Sequence, residues 1–299
     1  MASDVWADEG RPPRSNWYRA PGLASLGFPV KRQSDKPLPG VDMPAELFLR
    51  QAYVRPDAKF SDADFPGTLP FIRNFDIRFV APVTIFVGEN GSGKSTVMEA
   101  LAELCGLPVG GGGRNELGAL SMSRQRSELA PFLRASFLKK PRDGYFFRAE
   151  FQAHFAALLE ERRADPEFQG NPYARYGGLP LHTQSHGEAF LAVLSSWMRP
   201  GLILMDEPEA ALSPQRQLSL LLQIARLAGS GSTQFVIATH STIMMTYPGA
   251  SLLSFDGASI TPTRLEDTSH FQITKGVLEH PQRYWKHLLI DEEQSGERD

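Results

Sequence analysis

Gly88-Glu89-Asn90-Gly91-Ser92-Gly93-Lys94-Ser95-Thr96 sets glycines, a lysine and two hydroxyls at the spacing G-x-x-x-x-G-K-[ST]. Glycines at these places let backbone N–H groups turn inward around an anion, where a Cβ would crowd it. The chemistry expected of the whole stretch, Gly88 to Thr96, is therefore capture of a nucleoside triphosphate. Lys94 reaches the β- and γ-phosphates, and the Ser95 hydroxyl is a ligand for Mg²⁺. A helix beginning at Lys94 would add its positive N-terminal end to the cradle.

Further reactive side chains close two apolar runs. Leu202-Ile203-Leu204-Met205 leads into Asp206-Glu207-Pro208, the pattern of a buried parallel strand that delivers two carboxylates at its carboxyl end. Open α/β sheets hold their ligands at such ends. Asp206 is expected to hold Mg²⁺ through water, and Glu207 to orient or deprotonate an attacking water. The run Gln234 to Thr239 ends at His240-Ser241, which sets His240 on the same crevice, in reach of the γ-phosphate. His154, His182, His270, His280 and His287 have no such placement and receive no role.

Positioning these groups requires a strand over Pro82–Val87 and a helix over Lys94–Cys105, whose Val97, Leu101 and Leu104 recur at helical spacing. Ahead of them, Leu47–Val54 and the alternating Phe75, Ile77 and Phe79 predict half-buried antiparallel strands. Gly110 to Gly113 predicts a mobile loop. Ser123–Leu138 is expected to be helical, Lys139–Gly144 a basic turn, Tyr145–Glu150 a strand and Phe151–Arg163 a helix. Gln184-Ser185-His186-Gly187-Glu188 precedes an apolar helix, and read alone it is a capping box in which Ser185 bonds the amide of Glu188. Ser213-Pro214 starts a helix to Gly229. A late hairpin over 251–265, an amphipathic helix over 269–290 and an acidic tail over 291–299 complete the expectation.

The chain has 299 residues, 41% of them hydrophobic, enough for a sizeable core. Its 31 basic and 34 acidic residues leave a net charge of −3, which excludes a global field drawing it to nucleic acid or anionic lipid. No apolar run approaches about 18 residues, and Asp4, Asp8 and Glu9 break the pattern of a signal peptide. A cytoplasmic protein with no membrane segment of its own is expected. The single cysteine, Cys105, falls on the apolar face of the Lys94 helix and reads as a core thiol. Residues 1–44 form a Pro-rich irregular extension. Its Trp6, Trp17, Tyr18 and Phe28 leave two alternatives open: a loose tail, or a segment that lies along the domain or holds a partner.

Taken in order, the glycine loop, Ser185-His186-Gly187-Glu188 before a helix, the strand ending in Asp206-Glu207-Pro208 and the strand-end His240 resemble the ATP-binding-cassette ATPases. They look closest to small stand-alone AAA-type ATPases grouped beside the cassette proteins of DNA repair and chromosome maintenance. The resemblance implies an α/β P-loop fold over 45–290, with a mixed central sheet, antiparallel N-terminal strands and a small helical signature subdomain at 106–200. It implies a homodimer closing head to tail over two ATP molecules. Ser185 and Gly187 of one copy would then meet the γ-phosphate held by the other, with Glu188 a further nucleotide-binding residue of the signature, Glu207 as catalytic carboxylate and His240 as switch histidine.

A glutamine ligand for Mg²⁺ falls on Gln152, with Gln125 the alternative, and Phe71 and Tyr53 are the candidates to stack on adenine. Two departures stand out. The signature ends in Glu188 rather than Gln, as in repair and condensation ATPases, and Ala211-Leu212-Ser213 stands where the family has Ala-Leu-Asp. The implied reaction is Mg²⁺-dependent hydrolysis of ATP to ADP and phosphate. Its use is left between a switch acting on a nucleic-acid, toxin or defence partner, or another soluble effector, and the ATP-binding subunit of a transporter with separate membrane chains. About 90 residues separate Lys94 from Ser185, too few for a long coiled-coil arm.

Overall fold

The structure is a computed structural model and describes residues 47–113, 125–148, 160, 163–165, 170–173 and 198–296. The Pro-rich extension, Gln152, Ser185, Gly187 and Glu188 lie outside the described residues.

Two sheets organise what is described. Strands β1 (Leu49–Val54), β2 (Asp76–Arg78) and β5 (Leu133–Phe137) form an antiparallel sheet in the order β2-β1-β5. Strands β3 (Val83–Val87), β4 (Gly112–Gly113), β6 (Gly144–Arg148), β7 (Gly201–Asp206), β8 (Thr233–Ala238), β9 (Ser251–Ser254) and β10 (Thr261–Thr263) form a mixed sheet in the order β10-β9-β3-β8-β7-β6-β4. Its five central strands run parallel, and β10 and β4 pair antiparallel at the two edges. The described α-helices of four residues or more are α1 (Lys94–Leu104), α2 (Pro214–Gly229), α3 (Thr242–Met245), α4 (Ser269–Glu279) and α5 (Pro281–Gly296).

Strands buried on both faces are predominantly apolar, and β3, β7 and β8 are buried at every position, with Thr84, Asp206, Thr233 and Gln234 their polar members. Their side chains alternate between two cores. Phe86, Leu202, Leu204, Val236 and Ala238 join α1 and the antiparallel sheet in one. Val83, Ile85, Val87, Ile203, Met205, Phe235 and Ile237 join Leu220 and Ile224 of α2 and Met244 and Met245 of α3 in the other. Cys105 is buried in the first core, as its spacing implied. One polar side chain stitches the two sheets. Gln234 on β8 accepts from the amides of Phe48 and Leu49, both at 2.8 Å, and donates to Leu49 O at 2.9 Å.

Three local expectations need correcting. Residues 133–137 form β5 rather than part of a helix, because pairing with β1, including Ala52 opposite Ala135, decides the conformation of Arg134-Ala135-Ser136. Gly112–Gly113 is no loop, since it pairs with Phe146 and Tyr145 and so satisfies backbone groups at a buried edge. The single helix over 269–290 breaks at His280, φ −137° and ψ 59°, because the proline ring at Pro281 excludes helical backbone in the residue before it. Helix α5 then continues to Gly296, into the stretch read as a tail.

Candidate functional site

The loop between β3 and α1 carries the glycine pattern. Gly93 has φ 92° and ψ 8° and caps α1, a left-handed conformation that a Cβ disfavours. Beneath it lies Phe71, close enough that a Cβ on Gly93 would come to 2.9 Å from the ring. Phe71 is 1% exposed and meets Phe255 edge-on at 5.5 Å. This corrects its nomination as an adenine-stacking ring, because both faces are committed to the core that supports the loop. Tyr53 is half-buried on β1, in a cleft it shares with Arg55, Phe60 and Arg73. Gln125 is exposed.

Lys94 is buried, and its ammonium donates to Gly88 O at 2.6 Å, Glu89 O at 2.9 Å and Ser92 Oγ at 3.3 Å. Burial lowers its pKa, while Glu207, Asp256, Asp206 and Glu89 pull the other way. Ser95 Oγ donates to Asp206 Oδ1 at 3.1 Å across 111 residues of sequence. The Asp206 carboxyl is raised to about 6, first by burial and further by Glu207 and Glu99, against Arg148 and the Ser95 hydroxyl. Arg148, at the end of β6, sets Nε 3.8 Å from Asp206 Oδ2 and Nη1 2.8 Å from Glu99 Oε1. A serine hydroxyl and a carboxylate converging at hard oxygens fit Mg²⁺, which takes few protein ligands and fills its octahedron with phosphate and water.

Glu207 follows β7 at φ 49° and ψ 53°. It is a left-handed position for a non-glycine residue, costing about 1–2 kcal/mol. Its amide donates to Ala238 O at 2.9 Å, which ties the strained residue to β8, and its carboxylate is 44% exposed. His240, two residues beyond β8, brings Nε2 to 3.4 Å from Glu207 Oε1. Burial lowers the His240 pKa, and Lys94 and His270 lower it further against Glu207 and Glu209.

Sequence reasoning missed four residues around these groups. Glu209 Oε1 accepts from the amides of His240 at 2.6 Å and Ser241 at 3.2 Å, fixing the backbone that carries the histidine. Asp256 Oδ1 accepts from Glu89 N at 2.7 Å and closes the glycine loop. Arg148 shares Asp206, and His270 Nε2 lies 3.1 Å from His240 Nδ1. Glu209 shares the acidic segment of Asp206 and Glu207, a usable signal, whereas the other three are joined to the site only by the fold. Ser213 is the exposed N-cap of α2, with Pro214 in the first turn.

A glycine loop after one parallel strand, with carboxylates and a histidine at the ends of the next two, defines a P-loop nucleoside-triphosphatase class. Comparison with known proteins narrows it. Residues 67–128 match a family model described as an AAA domain, and residues 170–245 match another AAA domain model whose description carries the words "Type IV TA system". The chain is 32% identical over 202 residues to the hemin import ATP-binding protein HmuV of Burkholderia thailandensis, covering 56% of this chain and 72% of that protein. It is 27% identical over 183 residues to the energy-coupling factor transporter ATP-binding protein EcfA2 of Streptococcus thermophilus, covering 52% and 60%. It is 24% identical over 212 residues to the translation initiation factor RLI1 of Saccharomyces cerevisiae, covering 70% of this chain but only 31% of that one. The chain belongs to the ATP-binding-cassette family of P-loop ATPases. Among the described residues no helix is long and apolar enough to cross a membrane.

Proposed function

We propose that the chain binds ATP with Mg²⁺ at the β3–α1 loop and hydrolyses it to ADP and phosphate as a head-to-tail homodimer. The observation that carries the reading is the hydrogen bond of Ser95 to Asp206, beside Glu207 and His240 at the ends of neighbouring parallel strands. Lys94 exchanges the loop oxygens it now contacts for phosphate oxygens. Ser95 and Asp206 would hold Mg²⁺, with Gln152 as a further ligand, and the ion would supply positive charge against the phosphates. Glu207 takes a proton from, or orients, the attacking water, and His240 donates to the γ-phosphate from Nε2. Ser185 and Gly187 of the second copy close the site in trans.

Enzyme turnover tests the core of this reading. Lys94→Ala is expected to weaken nucleotide binding. Glu207→Gln is expected to bind ATP yet slow its hydrolysis by about 100-fold or more, and unchanged turnover would remove Glu207 from its role. Ser185→Arg should bind ATP and stay monomeric, so a dimer of that variant would sink the trans arrangement.

For the work done by hydrolysis, we favour a switch acting on a nucleic-acid, toxin or defence partner. It draws support from the Glu188 ending of the signature and from the words "Type IV TA system" attached to residues 170–245. The names of EcfA2 and HmuV favour a second reading, a transporter subunit. Capture by Glu207→Gln with Mg²⁺-ATP, against Ser185→Arg, separates them: a soluble or nuclease-sensitive partner supports the switch, and membrane chains support transport.

A further inference from the structure

Gln217, in the first turn of α2, is buried, and a buried amide side chain must find partners. Its Nε2 donates to Leu212 O at 3.0 Å, and its Oε1 accepts from Ser241 Oγ at 2.5 Å. Leu212 lies in the segment that leads away from Glu207, and Ser241 follows His240. One side chain therefore bridges the segments that leave β7 and β8, the two strands that deliver the reactive groups. The bridge begins where the backbone ladder between these strands ends, at the bond of Glu207 N to Ala238 O.

We propose that Gln217 is a positioning residue for His240, a strut between the Leu212 carbonyl and the Ser241 hydroxyl that sets how the histidine stands relative to Glu207. The chemistry of the partners fixes the direction of each bond. A backbone carbonyl only accepts, so Nε2 must face Leu212 and Oε1 is left for Ser241. An amide oxygen also only accepts, so the Ser241 hydroxyl gives its hydrogen to Gln217. It then turns a lone pair to Met244 N, at 3.2 Å, as the cap of α3. On the Leu212 side a single 3₁₀ turn carries the restraint back to Glu207, with Leu212 N on Glu209 O at 2.9 Å and Ala210 N on Glu207 O at 3.1 Å. Glu209 grips the same turn from its amides, those of His240 and Ser241, whereas Gln217 grips it by the Ser241 side chain. Together they hold His240 Nε2 at 3.4 Å from Glu207 Oε1, and an error of about 1 Å in such an alignment can cost about 100-fold in rate.

The inference rests on the role proposed for His240, and two measurements keep the two apart. In the full-length chain without nucleotide, ¹⁵N relaxation dispersion should be flat at the His240 and Ser241 amides of the parent. It should show exchange in Gln217→Met, which keeps the length of the side chain and removes both bonds. Gln217→Met and Ser241→Ala should each lower kcat about 10-fold with the KM for ATP within about twofold, a loss of alignment rather than of binding. The double variant should stay within about twofold of Ser241→Ala, because residues that act as one unit are not additive. Gln217→Asn, one methylene too short to reach both partners, should match Gln217→Met. Flat profiles in Gln217→Met overturn the proposal, as does parent kcat in Gln217→Met or Gln217→Asn, or a double variant slowed about 100-fold. If instead Glu207→Gln hydrolyses ATP at the parent rate, the ATPase reading fails while the relaxation result still decides the strut.

Discussion

The side chain of Gln234 pairs with the backbone of Leu49 as a neighbouring strand would, accepting from its amide at 2.8 Å and donating to its carbonyl at 2.9 Å. Through this pair the antiparallel sheet is anchored to β8, the strand that ends two residues before His240. Gln234→Leu leaves the amides of Phe48 and Leu49 and the Leu49 carbonyl without that partner. Each unsatisfied buried group costs about 1–3 kcal/mol. We expect the variant to lose about 3 kcal/mol or more of unfolding free energy in urea, with β1 amides exchanging faster than those of β7. Parent-like stability would show that water takes over the role.

Buried Asp206 has its pKa raised from 3.8 to about 6. The folded chain therefore holds this proton more tightly than the unfolded chain. The associated stability is full below the unfolded value and is lost as pH rises through about 6. The shift corresponds to about 3 kcal/mol. Asp206→Asn should raise the thermal midpoint of the nucleotide-free protein at pH 8 and change it little at pH 4, because Arg148 keeps its contact with Glu99. Nucleotide affinity in Mg²⁺ should rise in the parent between pH 5.5 and 7 and be weak throughout in the variant. A variant no more stable than the parent at pH 8 contradicts the burial cost.

Gly93 combines a left-handed backbone with a ring directly beneath it. Gly93→Ala should cost about 1–2 kcal/mol for the backbone alone, plus the displacement of Phe71. Gly93→Ala with Phe71→Leu relieves the second cost and not the first. Calorimetry should find the double variant between parent and single variant, still impaired in nucleotide binding. Full recovery would locate the whole effect in the ring.

Glu209 acts as a carboxylate clamp on the turn that carries His240. Glu209→Ala removes an ionised acceptor from two amides, a loss of about 1.5–3 kcal/mol. Glu209→Gln keeps an oxygen there and should lose less than half as much. ATP turnover is expected to follow the same order, and equal losses would assign Glu209 a charge effect instead.

How much of this was legible follows from where each constraint originates. The β3 strand, the glycine loop, α1 and β7 carry their own evidence, because a double-sided buried strand is predominantly apolar and a phosphate cradle must be glycine-rich. Asp206, Ser95, Lys94, Glu207 and His240 converge as their spacing implied. Segment Leu133–Phe137 was illegible because its strand state is imposed by β1, about 80 residues earlier. Phe71 reads like a ligand-stacking aromatic until the loop is seen resting on it. His270 carries no local signal, since its link to His240 spans 30 residues and exists only once α4 has docked.

The break at Pro281 divides the chain after residue 268 into two helices, α4 and α5. Helix α5 has 16 residues, a rod of about 24 Å. It is keyed to α4 through Gly276, where a Cβ would overlap the Tyr284 hydroxyl. Leu278 on α4 and Trp285, Leu288 and Leu289 on α5 are exposed, while Ser269 and His270 in the first turn of α4 bear on Glu89 and His240. The exposed apolar side chains of α5 thus stand one helix away from Glu89 and His240, the two residues that the first turn of α4 touches.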